Sequence, residues 1–372
     1  ADLRIPWNSE ASSFKVHLLR TWRDSKWWPH ESKVSPTAVV ETLPGAVATA
    51  DDYTVMREAM LLHDGVELPC IMETAYEIDE HPAAAGYDGF FVMQQRDPAA
   101  KVELKITIPE GTSLQLQGYN GAPVPDEAGG DSKAIHIVTM ENVERLGSPR
   151  IADPGAYAPA VAWTTWKSWA ALKKAIMPNF DSAVNPGTAL TDILTEEFRN
   201  EPSEGARARK AVALVNKFTR SIHYDSRYWA FSPRPASRTY ETAYGHALDR
   251  AVLAAAMFRK AGLKAEPVYV SSGPDGVDKG IPGLARFGEM RICVHSETFR
   301  AIYDPAAGTL SEGPRAVFGR SAWKPASDEA PWSYPPANAA ASSYDVTMTL
   351  EPGDDGWKGT GYISADGIFC PY

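Results

Sequence analysis

Between positions 224 and 304 the sequence gathers residue types that acid–base and binding chemistry use. Carboxylates stand at Glu241, Asp249, Glu289 and Asp304, and an imidazole at His246. Rings follow at Tyr224, Tyr228, Trp229, Tyr240 and Tyr244, with guanidinium groups at Arg234, Arg238, Arg250 and Arg291. Two carboxyl groups whose environments separate their pKa values can hydrolyse a glycosidic bond, one as acid and the other as base or nucleophile. Aromatic rings stack on sugars, and guanidinium groups hold an acidic sugar or a carboxylate. With a uronate bound, a lyase reaction with Tyr244 or His246 as base becomes available. Other site classes lack their signatures: the sequence has no dinucleotide or phosphate-binding glycine loop, no His-Glu-x-x-His and no Gly-x-Ser-x-Gly elbow. No metal or cofactor is expected.

Each of these residues also has a purely structural role open to it. Asp249 in the first turn of a helix complements the helix dipole, and His246 beside the helix start can hydrogen-bond backbone. Glu289 can form an ion pair with Arg291 or Arg250. The run Tyr228-Trp229-Ala230-Phe231 suits a core or a domain interface as well as a sugar platform. Trp163, Trp166 and Trp169, spaced i, i+3, would share one face of a helix and pack between domains.

The chain has 372 residues, with 37 Lys+Arg against 47 Asp+Glu and a net charge of −10, so it offers no basic face for nucleic acid. Its apolar and charged fractions are those of an ordinary globular protein, and its length suggests two or three domains. No stretch has the ~20 apolar residues of a membrane span. The first residues, Ala1-Asp2-Leu3-Arg4, fit either a trimmed chain or a mature chain after signal removal, and on the second reading the protein is expected to be periplasmic or secreted. Cys70, Cys293 and Cys370 are too few and too scattered for a disulfide framework.

The elements that must position the site change character along the chain. Lys101–Ile108 and Ser113–Gln117 alternate with period two and read as an antiparallel pair across Pro109-Glu110-Gly111. Further strands are predicted at 14–22, 54–62, 67–78, 89–95 and 133–140, the spacing of a β-sandwich over residues 1–155. Helical periodicity then takes over. Leu190, Ile193, Leu194 and Phe198 mark one helix, a second is capped by Ser203, and a third runs from about Ala247 to Lys260 and stops at Gly262. Strands at 265–271, 290–294 and 299–303 complete an α+β domain over 156–324. Pro325–Asn338 reads as a linker, and 344–350 with 359–364 as a hairpin with little to pack on, the possible start of a further β-domain.

The segment from Thr239 to Val270 resembles the transglutaminase-like core of the papain-like superfamily. Gly245, Asp249, Arg259, Gly262, Pro267 and Val268 fit its pattern, Phe287-Gly288-Glu289 resembles the Phe-Asn-His that opens the histidine strand, and Tyr303-Asp304-Pro305 resembles its Asp-Pro. The Trp166–Trp169 region behind a β-domain resembles bacterial proteins in which such a domain precedes this core. The resemblance implies a cysteine–histidine–aspartate triad, yet Ala247 stands at the nucleophile position and Glu289 at the histidine position, leaving Asp304 alone. It also implies that Glu289 and Asp304 lie on neighbouring strands facing the start of the Ala247 helix, with His246, Asp249 and Glu241 nearby.

The leading expectation is therefore a glycoside hydrolase acting on an oligosaccharide or polysaccharide. Glu289 would be the acid or base, Asp304 or Asp249 its partner, and Tyr240, Tyr244, Trp229, Arg238, Arg250 and Arg291 the substrate contacts. The alternatives are a noncatalytic glycan- or peptide-binding protein, a polysaccharide lyase, and a thiol peptidase or transglutaminase inactivated by a Cys→Ala change. Oligomeric state is not predicted.

Overall fold

The structure is a computed structural model that describes residues 3–29, 34–81, 86–124, 135–147, 157–223, 233–271, 280–312, 320–327, 331–333, 343–353 and 356–365. The N-terminal half is built from short antiparallel sheets. Strands β1 (Leu3–Asn8), β4 (Val39–Thr42) and β5 (Met56–Leu61) form one, while β2 (Ser12–Arg23), β3 (Lys26–Trp28) and β6 (Ile71–Glu80) form another. β8 (Ala99–Thr107) pairs with β10 (Ile135–Val143). β11 (Ala160–Thr164) lies between β7 (Asp88–Val92) and β9 (Gln115–Tyr119).

The two alternating segments around Pro109-Glu110-Gly111 are thus not partners. Ile106, Ile108 and Leu114 bury together, so the chain crosses to a different sheet at the turn instead of folding back on itself. The strand-rich domain also runs on to Thr164, beyond the expected boundary at 155, because β11 completes one of its sheets.

The three tryptophans do not share a helix. Trp163 lies within β11 one residue before its end, Trp166 lies in the connection that follows, and Trp169 opens α1 (Trp169–Ala183), which Ser168 caps by accepting from the Ala171 amide at 3.2 Å. The first two indoles press on glycines of the N-terminal domain. A Cβ on Gly89 would come within 2.0 Å of Trp163, and one on Gly86 within 2.4 Å of Trp166. Trp169 packs against Trp323 and Phe287.

The second half is α+β. Helices α2 (Gly187–Phe198), α3 (Glu204–Phe218) and α4 (Ala236–Thr242) surround α5 (Ala247–Lys260). α5 is buried on every side from Asp249 to Phe258, which an alanine-rich helix with few polar groups tolerates. It ends where Gly262 takes a φ of +81°, a conformation costly for any residue with a Cβ. Just before it, β12 (Arg220–Ile222) and β13 (Tyr244–His246) pair in parallel.

Against α5 packs a six-stranded antiparallel sheet. It comprises β14 (Lys264–Val270), β15 (Glu289–His295), β16 (Arg300–Asp304), β17 (Thr309–Glu312), β18 (Ser321–Trp323) and β19 (Trp332–Ser333). The order is β17-β16-β15-β14-β18-β19, so Trp332–Ser333, expected in a linker, adds an edge strand to this sheet. β20 (Tyr344–Gly353) and β21 (Gly356–Ala365) form a separate hairpin. Among the described residues no helix is long and apolar enough to cross a membrane.

Candidate functional site

The start of α5 and the adjoining ends of β15 and β16 bring together most of the residues singled out in the sequence. Ala247 is the first residue of α5 and is half-buried. His246 caps that helix, its Nδ1 accepting from the Leu248 amide at 3.3 Å, and it is buried. Glu289 opens β15 and Asp304 closes β16, at the same end of the antiparallel sheet.

The two carboxylates meet through Arg291. Its Nη2 lies 2.7 Å from Glu289 Oε2 and 2.9 Å from Asp304 Oδ2, and its side chain is buried. Arg320 donates to the other Glu289 oxygen at 2.8 Å. Asp304 Oδ1 accepts from the Ala306 and Ala307 amides at 3.0 and 3.1 Å, which closes the Asp-Pro turn. Among the described residues the hydrogen bonds and ion pairs of the Glu289 carboxylate go to Arg291 and Arg320. Strand alternation explains the arrangement: Met290, Ile292 and Val294 bury against α5, so Glu289, Arg291 and Cys293 take the other face of β15. Glu289 and Asp304 are thus held together in a two-arginine, two-carboxylate cluster.

Asp249 has a different environment. Its Oδ1 accepts from the Arg234 amide at 2.8 Å, its Oδ2 accepts from Arg234 Nε at 2.9 Å, and the Tyr53 hydroxyl of the N-terminal domain donates to it. The same hydroxyl accepts from the His246 amide at 2.7 Å. Burial first, then the Asp249 charge, pushes the Tyr53 pKa far above the usual tyrosine range, so the group stays a donor. Arg234 continues to Asp52 at 2.5 Å and to the Tyr244 carbonyl at 2.6 Å, and Arg238 grips Asp52 with bonds of 2.9 and 2.6 Å. The Arg238 hydrogen bond is the main reason Asp52 sits below the ordinary carboxylate range; burial opposes it. Asp249, expected as a catalytic partner, is therefore a buried tie between domains.

The expected substrate contacts are mostly occupied internally. Arg250 is buried and donates to Thr219 Oγ1, Asn216 Oδ1 and the Pro305 carbonyl. Tyr244 lies against Tyr53 and Arg234, and its hydroxyl accepts from the Asp52 amide at 3.0 Å. Tyr240 packs edge-on against Phe218 in the core. Glu241 is exposed, 3.8 Å from Arg238. Trp229, with Tyr224 and Tyr228, lies outside the described residues. Among the described residues no group of three or more His, Cys, Asp or Glu is arranged to hold a metal ion. Sequence reasoning missed Tyr53, Asp52 and Arg320; Tyr53 lies 196 positions from Asp249, and nothing local marks it.

The N-terminal domain also braces the loop leading into β15. Half-buried Asp88 on β7 accepts from the Leu284 and Ala285 amides, each at 2.8 Å, and from the Trp166 indole at 3.1 Å. Gln117 accepts from the Ile281 amide at 3.1 Å. One domain thus holds both the helix and the strand on which a triad of this fold would stand.

Residues 194–285 match the Transglutaminase-like superfamily, and residues 1–145 match DUF3857, a domain of unknown function. The chain carries a transglutaminase-like domain behind a DUF3857 domain. The transglutaminase-like match takes in Ala247 and stops short of Glu289. A crystal structure described as a candidate protease from Parabacteroides distasonis ATCC 8503 superposes with a TM-score of 0.73 at 18% identity, covering 95% of this chain and 70% of that one. At that identity the likeness establishes the fold. A candidate cysteine protease from Cytophaga hutchinsonii reaches a TM-score of 0.28 at 9% identity, covering 77% of this chain and 90% of that one, too loose to support an argument. No curated protein matches the chain significantly.

Proposed function

We propose that the transglutaminase-like domain is a noncatalytic binding domain for an extended peptide, a former thiol-enzyme cleft that has kept its frame and lost its chemistry. The observation that carries this reading is the state of the triad positions. Ala247 has no nucleophile, and the carboxylates of Glu289 and Asp304 are both bound by Arg291. Thiol chemistry needs a thiolate and an imidazole. Glycosidase chemistry needs one carboxyl group to present a proton to the substrate, and here the Glu289 oxygens are taken up by two guanidinium groups. Peptide is favoured over glycan because Tyr240 and Tyr244, the two described residues among the five rings expected to stack on sugars, pack in the core and against Tyr53. The fold likeness to a structure described as a candidate protease agrees with a cleft shaped for polypeptide.

The test is incubation of stoichiometric protein with unstructured polypeptides and with neutral and acidic oligosaccharides, followed by mass spectrometry and by calorimetric titration of each. Saturable heat with peptide and no new product is the expected result. Sugar cleavage that disappears in Glu289→Gln would replace this reading with the glycosidase.

A further inference from the structure

The sheet packed on α5 has a second charged end. Ala265, Val294 and Ala301 bury against α5, so Lys264, His295 and Arg300, each one position along its strand from these, take the outer face. The register sets them in one row across three strands, with Lys264 opposite His295 on one side and Arg300 opposite it on the other. Glu289 and Asp304 stand at the far ends of the same strands, so the length of β15, about 20 Å, separates this row from the triad positions.

The row is short of counter-charge. Glu266, on the same outer face, is already engaged: it accepts from Lys324, which follows β18, and from His295 Nε2 at 3.1 Å. Burial opposes the Glu266 charge, and the hydrogen bonds from Lys324 and His295 overcome it and hold the carboxyl below its ordinary range. Among the described residues no carboxylate lies within ion-pair distance of Lys264 or Arg300, and both are exposed. Glu297, exposed in the turn between β15 and β16, is no exception. Cations gathered on one face repel one another. In a chain with 47 Asp+Glu against 37 Lys+Arg, setting them side by side without a carboxylate is a local conflict, and such conflicts gather at functional sites.

We infer that Lys264, His295 and Arg300 form a binding site for a phosphate group carried by a small molecule. Neighbouring strands lie about 4.8 Å apart, so the row spans roughly 10 Å, and the long stems of Lys264 and Arg300 can converge over the imidazole between them. The guanidinium fork of Arg300 matches two phosphate oxygens, and the Lys264 ammonium supplies a point charge to a third. Two uncompensated cations favour a dianion over a single carboxylate. A nucleic-acid backbone needs a track of phosphate contacts, whereas three groups within roughly 10 Å suit one phosphate. Half-buried Cys293 and buried Ile302 come next along the same face, an apolar flank that weakens screening of the charges beside it.

The experiment is calorimetric titration of the full 372-residue chain with glycerol phosphate, inorganic phosphate and acetate, at about pH 7 and a constant ionic strength of about 0.1 M. Three proteins are compared: wild type, Lys264→Ala/Arg300→Ala, and the control Lys15→Ala/Lys105→Ala, which removes two exposed cations from the N-terminal domain. The expected result is one saturable site for both phosphates in wild type and control, with affinity about tenfold lower or less for acetate and for Lys264→Ala/Arg300→Ala. All four substituted side chains are exposed, so thermal melts without phosphate should coincide, and a lost site is then not a lost fold. A wild-type chain that gives no saturable heat with glycerol phosphate overturns the proposal, whether or not inorganic phosphate binds. So does a site that survives Lys264→Ala/Arg300→Ala, or acetate binding as tightly as phosphate. A response equal in all three proteins would mean an adventitious ion only, and would overturn it as well.

Discussion

Tyr53→Phe removes one oxygen and tests whether the two domains are joined by chemistry or only by packing. In the wild type that oxygen accepts from the His246 amide at 2.7 Å and donates to Asp249. Phenylalanine fills the same space, so no cavity term enters. The His246 amide is left buried without its acceptor, at about 1–3 kcal/mol, and a hydrogen bond to a carboxylate worth roughly 1.5–3 kcal/mol disappears. Asp249 keeps both bonds from Arg234, which softens the second loss, so the expected cost is about 2–4 kcal/mol. Urea unfolding followed by circular dichroism measures it. Tyr303→Phe is the matched control: its hydroxyl is buried with no hydrogen-bond partner among the described residues, and burial pushes its pKa up to about 12. Deleting that hydroxyl should be neutral or slightly stabilising. Because Tyr53 and Asp249 touch, a double-mutant cycle with Asp249→Asn should give a coupling on the order of 1–2 kcal/mol. A Tyr53→Phe cost below about 0.5 kcal/mol, or one equal to that of Tyr303→Phe, would refute the reasoning.

Three further outcomes are expected. Asp88→Ala leaves the Leu284 and Ala285 amides and the Trp166 indole without their acceptor, and should cost about 2–4 kcal/mol in the same unfolding assay while raising hydrogen exchange at 281–288. Asp52 has its folded pKa lowered, so its stabilisation is complete above the ordinary Asp value of 3.8 and fades as pH falls through the folded value. The stability gap between wild type and Asp52→Asn should accordingly be full at pH 7 and close in acid. Gly308→Ala places a Cβ 2.4 Å from the Asn216 side chain at a φ of +68°, which should cost about 1–2 kcal/mol and weaken the hold of Asn216 on Arg250.

The sequence carried much of the fold because its signals are local. Ser203 caps α3 and Gly262 terminates the segment after α5 where expected. Strand partners were less legible, since alternation marks a strand without naming its neighbour, and Lys101–Ile108 pairs with β10 instead of with the segment after the next turn. The same limit applied to the site. Placing Glu289 and Asp304 at one end of the sheet needed only the order of elements. That Arg291 would bridge the two carboxylates needed the register of β15 on β16, and that Asp249 would bind Tyr53 needed a contact between domains far apart in the chain.

The brace between the halves bears on how this protein can be dissected. Cutting after Thr164 would separate Tyr53 and Asp52 from Asp249 and Arg234, and Asp88 from the amides of Leu284 and Ala285, opening polar groups at two seams at once. A fragment comprising only the transglutaminase-like half would start life with those valences unfilled. Its weak folding would say little about the cleft itself, and any binding experiment on this fold should keep the preceding domain attached.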